Sequence, residues 1–235
     1  MLPIRDHNRS NKFPLLTILI IAFNVFVFIL ELIVPDPDTF INAYALIPAA
    51  INFSKPLTLI PFFSSMFLHA GFVHLLSNMW FLWIFGDNLE ATLGEIKFLL
   101  LYFFSGLAGG LLQYLLIINS TIPNLGASGA IAGVLGGYLV FFPKAKIETL
   151  VATFGGYLSR IELPAYVMLF YWFFTQLFSG SASVVSGEMA LGGVAWFAHI
   201  GGFVAGWLMA TANQFVVNLK NGKKSNEEFP RARLV

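Results

Sequence analysis

Uncharged, apolar runs recur along this chain, and several approach the ~20 residues with which an α-helix crosses a bilayer. That one feature removes most architectures. The chain is 57% hydrophobic and 11% charged, whereas a soluble domain carries about 25% charged residues. A soluble helical protein with an unusually apolar core is the competing reading, and blocking of the apolar residues into membrane-length runs disfavours it. The net charge of +1 offers no field for nucleic acid. The lack of cysteine removes disulfides, thiolate metal sites and a cysteine nucleophile.

Taken in order, residues 1–14 form a polar, basic segment, expected on the cytoplasmic side. A first span runs from Leu15 to Val34 and stops at Pro35 and Pro37, which cannot continue a helix. No small-residue cleavage site follows it, so a cleavable signal peptide is not expected. Residues 39–71 are semi-apolar and broken by Pro48, Pro56 and Pro61, as befits an ordered piece lying in the interface. Further spans are expected at about Phe72–Leu89, Ile96–Ile118, Ser128 to just before Pro143, Leu163–Phe178 and Gly192–Val216. The fourth, at about 1.5 Å per residue, measures about 21 Å. A hydrocarbon core is about 30 Å thick, so Ser128 should lie below the membrane surface yet open to one side. Apolar residues within 144–162 are expected at the interface, 179–191 as a flexible loop, and the basic tail 217–235 as a disordered cytoplasmic segment. The expectation is therefore an all-α integral membrane protein, a bundle of six transmembrane helices spanning 15–216. Its short central helix would carry the nucleophile. Twelve of the thirteen Lys and Arg fall on the side of the termini, and only Lys55 on the other. The positive-inside rule then puts both termini in the cytoplasm. No internal repeat suggests a transporter.

Three places can carry chemistry. Ser128 stands in Gly126-Ala127-Ser128-Gly129 at the head of the fourth span. A serine there is often only an N-cap. Flanking glycines admit a substrate backbone, and free N–H groups of a helix N-terminus suit an oxyanion. His199 lies deep in the last span, where an ionisable group is a functional candidate by default; the plainer alternative is an interhelical hydrogen bond. Gly202 and Gly206 share its helix face, and Gly129, Gly133 and Gly137 form a matching ridge beside Ser128. Close packing of two such faces would bring His199 towards Ser128. His74 and Asn78, four apart, lie on one face of the second span. They could donate to an oxyanion or simply bond between helices. A zinc site from His69, His74 and His199 lacks an intramembrane carboxylate and any HExxH pattern, so no metal and no cofactor are expected. No Asp or Glu accompanies His199 in spans four or six, so a hydrolase here would work with a Ser–His dyad. Glu90 reads as an anchor for the cytoplasmic end of span two. Trp80, Trp83, Trp172 and Trp196 read as lipid-facing or interfacial packing.

The combination His74-x-x-x-Asn78, Gly-Ala-Ser128-Gly and Ala198-His199-x-x-Gly202-x-x-x-Gly206 resembles the rhomboid intramembrane serine proteases. So do Ile4-Arg5-Asp6 and the run Asn78 to Glu90, and the resemblance covers nearly the whole chain. It implies Ser128 as nucleophile and His199 as general base, then acid. It also implies an oxyanion hole of His74, Asn78 and the Ser128 N–H. The partners implied are single-span transmembrane substrates, cut near the outer face of the lipid bilayer. In this resemblance 39–71 corresponds to the lateral interfacial loop and 179–191 to the cap over the site. Some members carry an aromatic four residues after the serine that stacks on the histidine; here that residue is Ala132, so another group must orient His199. The Trp-Arg pair of one branch is also missing from the long loop. The rival from a different class is a non-catalytic membrane scaffold that binds client helices in the same cleft. The small size and the lack of a transit-type N-terminus lead to the expectation of a prokaryotic inner or plasma membrane.

Overall fold

The computed structural model describes residues 1–8, 10–153, 157–186 and 195–228. Helices dominate. The first, α1 (Leu15–Ile33), ends at Val34, which is extended because Pro35 follows it. In α2 (Pro37–Tyr44), Asp36 caps the first turn, its carboxylate accepting from the Thr39 N–H at 3.0 Å, with Pro37 at the first helical position. The rest of the long connection is ordered as expected, in short 3-10 turns and α3 (Pro61–Ser64). Then follow α4 (Phe72–Leu93), α5 (Glu95–Leu116), α6 (Ser128–Phe141), α7 (Ala165–Ser186) and α8 (Trp196–Glu228). Gly94 joins α4 to α5 with φ of +78°, a conformation that favours glycine.

Among the described residues, α1, α5 and α8 through Lys220 are long and apolar enough to cross a membrane. The segments Pro56–Phe67 and Phe72–Leu93, meeting at 78°, make a fourth if taken together. The 14-residue α6 is buried without interruption from Gly129 to Leu139, enclosed by α4, α5 and α8. Glu90 does more than anchor its own helix. Buried on α4, it accepts from the N–H groups of Leu16 and Thr17 and from the Thr17 hydroxyl, at 2.8–2.9 Å. It thus holds a negative charge at the positive end of α1.

The structure corrects the all-helical expectation. Residues 144–162 do not merely lie at the interface: β2 (Lys146–Ala152) and β3 (Leu158–Pro164) form a hairpin, and β1 (Leu2–Asp6) adds to it. The sheet is antiparallel in the order β1-β2-β3. Alternation explains β2. Ile147 and Thr149 are buried while Lys146 and Ala152 face out, the period of two that a half-buried strand requires. Glu148 and Glu162 face each other across the ladder. Opposed like charges are unfavourable, and Arg5 (2.8 Å), Arg160 (3.5 Å) on Glu148 and Lys146 (3.0 Å) on Glu162 offset them. The Lys146 ammonium holds the Glu162 carboxyl below its ordinary range.

Two boundaries also move. α7 runs on to Ser186, so 179–186 is helix rather than loop, and the remainder of the expected cap, from 187, lies outside the described residues. α8 continues past Val216 to Glu228, across the border drawn for the tail, whose last residues, 229–235, also lie outside the description.

Candidate functional site

Ser128 is the first residue of α6. Its N–H therefore has no partner four residues back within the helix. Gly126 makes the approach possible. Its φ of +124° suits glycine, and its N–H donates to the Ser65 carbonyl at 2.9 Å, tying the loop to the interfacial connection. Leu46 and Asn124 exchange backbone hydrogen bonds at 2.9 Å and fasten the same loop one step earlier.

His199 stands one turn into α8, and its Nε2 lies 2.7 Å from Ser128 Oγ. The two residues meet because α6 and α8 touch backbone to backbone. A methyl group on Gly202 would strike the Gly129 carbonyl, and one on Gly206 the Gly133 carbonyl. Gly137 differs from the expected ridge: it faces the side chains of Leu89 and Leu101, and Gly136 takes its place against Phe203 and Trp207 of α8. The start of α8 is pinned by Gln113 of α5, whose Oε1 accepts from the N–H groups of Phe197 and Ala198 at 3.1 and 3.2 Å.

The group that orients His199 comes from α7. Gln176 Oε1 is 2.7 Å from His199 Nδ1. The Gln176 amide nitrogen donates to the Trp172 carbonyl at 3.3 Å, which turns the oxygen towards the imidazole. An amide oxygen only accepts, so Nδ1 carries the proton and the Nε2 lone pair faces the serine hydroxyl. Trp172, one turn before Gln176, lies 5.8 Å from the imidazole at 33°, and Trp196 meets it edge-on at 6.3 Å. The tryptophans read as lipid-facing packing thus include two that wall the histidine, and Trp172 supplies the aromatic that Ala132 does not. Sequence reasoning missed Gln176 altogether. The available signal was a lone uncharged amide in an apolar span, on one helix face with a tryptophan.

His74 and Asn78 come from α4. A methyl group on Gly126 would sit 2.8 Å from His74 Nε2 and 3.7 Å from Asn78 Nδ2, so both side chains border the glycine two residues before Ser128. Asn78 Nδ2 is buried with no hydrogen-bond partner among the described residues. A buried, unspent donor beside a serine hydroxyl could receive an oxyanion. His69 lies beside this group: its ring is edge-on to His74 at 5.2 Å, and its backbone N–H donates to buried Glu31 at 3.1 Å. A cleft of about 30 Å³ borders Ser128 between Leu46, Ser65, Gln113 and Ala198. That is room enough for a water molecule.

The Rhomboid domain family model matches residues 56–213, which include His74, Asn78, Ser128, Gln176 and His199. Among similar proteins, the mitochondrial RHOMBOID-like protein 6 of Arabidopsis thaliana is 32% identical over 149 residues. That alignment covers 62% of this chain and 41% of the relative. The mitochondrial Rhomboid protein 1 of Saccharomyces cerevisiae is 36% identical over 147 residues, 61% of this chain and 40% of the relative. Putative rhomboid protease YdcA of Bacillus subtilis is 44% identical over 72 residues, 31% of this chain and 36% of the relative. The chain spans about two fifths of the length of the plant and yeast relatives. The expectation of a prokaryotic inner or plasma membrane is overturned: the similar proteins include ones named for mitochondria in a plant, a yeast and cattle. That expectation rested on the small size of the chain and on the composition of its first residues, and neither reports the compartment. A model match over most of the chain, with its helical membrane architecture, places this protein in the rhomboid family.

Proposed function

We propose that this chain is an intramembrane serine endopeptidase that cleaves transmembrane segments. One observation supports the reading above the others: the 2.7 Å contact of Ser128 Oγ with His199 Nε2, in the tautomer that Gln176 selects. A hydroxyl is a weak nucleophile until a base stands beside it. In the proposed reaction the Ser128 hydroxyl adds to a substrate carbonyl carbon as its proton passes to Nε2. His74, Asn78 and the Ser128 N–H receive the oxyanion. The imidazolium returns the proton to the leaving amine, the C–N bond breaks, and an acyl-enzyme remains. Water, deprotonated by His199, then releases the acid and regenerates the serine.

In this reading α1, α4, α5, α6, α7 and α8 are six spans. Both ends of the membrane domain then share the side rich in Lys and Arg. Short α6 holds Ser128 below the opposite surface, where single-span substrates are cut. The test is cleavage of a single-span protein by the purified chain in liposomes, alongside labelling by a fluorophosphonate. Labelling and cleavage that both require Ser128 and His199 support the enzyme. A protein that binds client helices but neither labels nor cuts is a scaffold.

Two variants probe the supporting groups. Asn78→Ala should lower turnover about 100–1,000-fold, the loss seen for one oxyanion donor in a soluble protease, with little change in KM. Gln176→Leu leaves the imidazole free to take the wrong tautomer. Loss of one hydrogen bond of ~1.5 kcal/mol predicts a roughly tenfold fall in kcat. Gln176→Glu, which keeps an acceptor at the same reach, should recover most of it. Equal losses in both Gln176 variants would argue for packing alone.

A further inference from the structure

A buried carboxyl group and a buried imidazole stand beside the site without a part in the reaction. Glu31, near the end of α1, is 4% exposed, and its carboxyl oxygens accept from the backbone N–H of His69 at 3.1 and 3.4 Å. Burying a carboxyl group in an apolar span is costly. Here it ties α1 to the short stretch that turns the chain into α4.

His69 is 2% exposed. The Phe67 carbonyl stands beside its ring, yet neither ring nitrogen makes a hydrogen bond among the described residues. Buried polar atoms are almost always satisfied, by protein or by ordered water. The ring of His74 is the polar neighbour, edge-on with centroids 5.2 Å apart. Two hydrogen bonds of about 2.8 Å in series join atoms up to about 5.6 Å apart, so one water spans the gap between the rings.

His74 has a use for such a water. Its Cε1 and Nε2 face Gly126, each 2.8 Å from a methyl group placed there. A neutral imidazole donates from Nε2 only when the proton is on that atom and Nδ1 presents a lone pair. Beyond the helix ladder, the hydrogen bond His74 makes among the described residues is at its carbonyl, from Ser77 Oγ at 2.9 Å. No protein group there fixes the tautomer of the ring.

We propose that His69 is a positioning residue: a water held between the two rings donates to His74 Nδ1, and so keeps the His74 proton on Nε2, where the oxyanion forms. Glu31 holds His69 in place for this. The proposal rests on the protease reading. It gives His74 on α4 the service that Gln176 gives His199 on the opposite flank.

The chain has four histidines, so nitrogen NMR of histidine-labelled protein in detergent can report each tautomer. His74 should carry its proton on Nε2 in the parent and shift towards Nδ1 in His69→Leu. His69→Gln, which keeps a donor and an acceptor, should retain the parent tautomer. In liposomes His69→Leu should cut a single-span substrate with kcat lowered roughly tenfold, the loss of about one hydrogen bond, and KM unchanged. His69→Gln should recover most of that loss. In a His74→Ala background, His69→Leu should cost nothing further, because its effect passes through His74. A packing defect would add its full cost there, and that result overturns the proposal. So does a His74 proton found on Nδ1 in the parent, a measurement that stands even where His69→Leu fails to fold. Parent protein that neither cleaves nor labels with a fluorophosphonate removes the protease reading. The His74 tautomer in parent and variants then decides the bridge by itself: unchanged in His69→Leu, it refutes the bridge.

Discussion

Ser128→Ala protein should fold, insert and bind substrate, yet show no fluorophosphonate labelling and no cleavage product. His199→Ala should match it. In a well-studied soluble protease, loss of the serine or the histidine alone costs about 10⁶-fold in turnover, nearly as much as loss of the whole catalytic set. The same non-additivity is expected here: the double variant should be no slower than either single variant. In the proposed mechanism Ser128 Oγ and His199 Nε2, 2.7 Å apart, act as one unit. Without the imidazole the hydroxyl keeps its proton, and without the hydroxyl the imidazole has no proton to accept. Thermal midpoints of both variants in detergent should stay within a few degrees of the parent, because neither side chain seals the contact between α6 and α8. Full cleavage by Ser128→Ala protein would sink the mechanism.

The second large effect is on the fold. Gly202→Ala and Gly206→Ala each add one methyl group, and each methyl meets a backbone carbonyl of α6 rather than a side chain able to swing away. Overpacking of this kind typically costs about 1–3 kcal/mol and occasionally more. In a chain of this size ~1 kcal/mol moves the midpoint by roughly 2–4 °C, so each variant should melt several degrees lower and label more slowly as His199 is pushed from Ser128. Gly110→Ala is the control. Its methyl would meet Leu46 and Phe62 at 3.5 Å, ordinary contact, and should leave both readings unchanged. Equal melting of Gly202→Ala and Gly110→Ala would show that the helices adjust their spacing freely.

Much of this was legible in the residues. The bounds of α1 and α6 follow from apolar runs ended by Pro35 and Pro143, and those of α4 and α5 were read to within four residues, since hydropathy depends on the solvent and not on which helix is the neighbour. The hairpin was not legible. Its strands are short and mix apolar with charged residues, and β1 pairs with a partner more than 140 residues away, which no local pattern reports. Gln176 was hidden for a related reason: an amide in a span says that a partner exists, and only the fold names His199. Trp172 carries the same composition signal as a lipid-facing tryptophan, and its ring is set apart only by what lies against it.

The backbone seam between α6 and α8 has a consequence for how such a protein can change. A joint made of peptide groups has no side chains to vary, so the spacing of Ser128 and His199 cannot be tuned by ordinary substitution. It can be kept or lost. α4 and α7 border Ser128 and His199 through side chains alone, and there substitution is graded. In the proposed protease, drift in which segments are accepted should therefore accumulate on those two helices, while the dyad stays as stiff as the main chain that carries it.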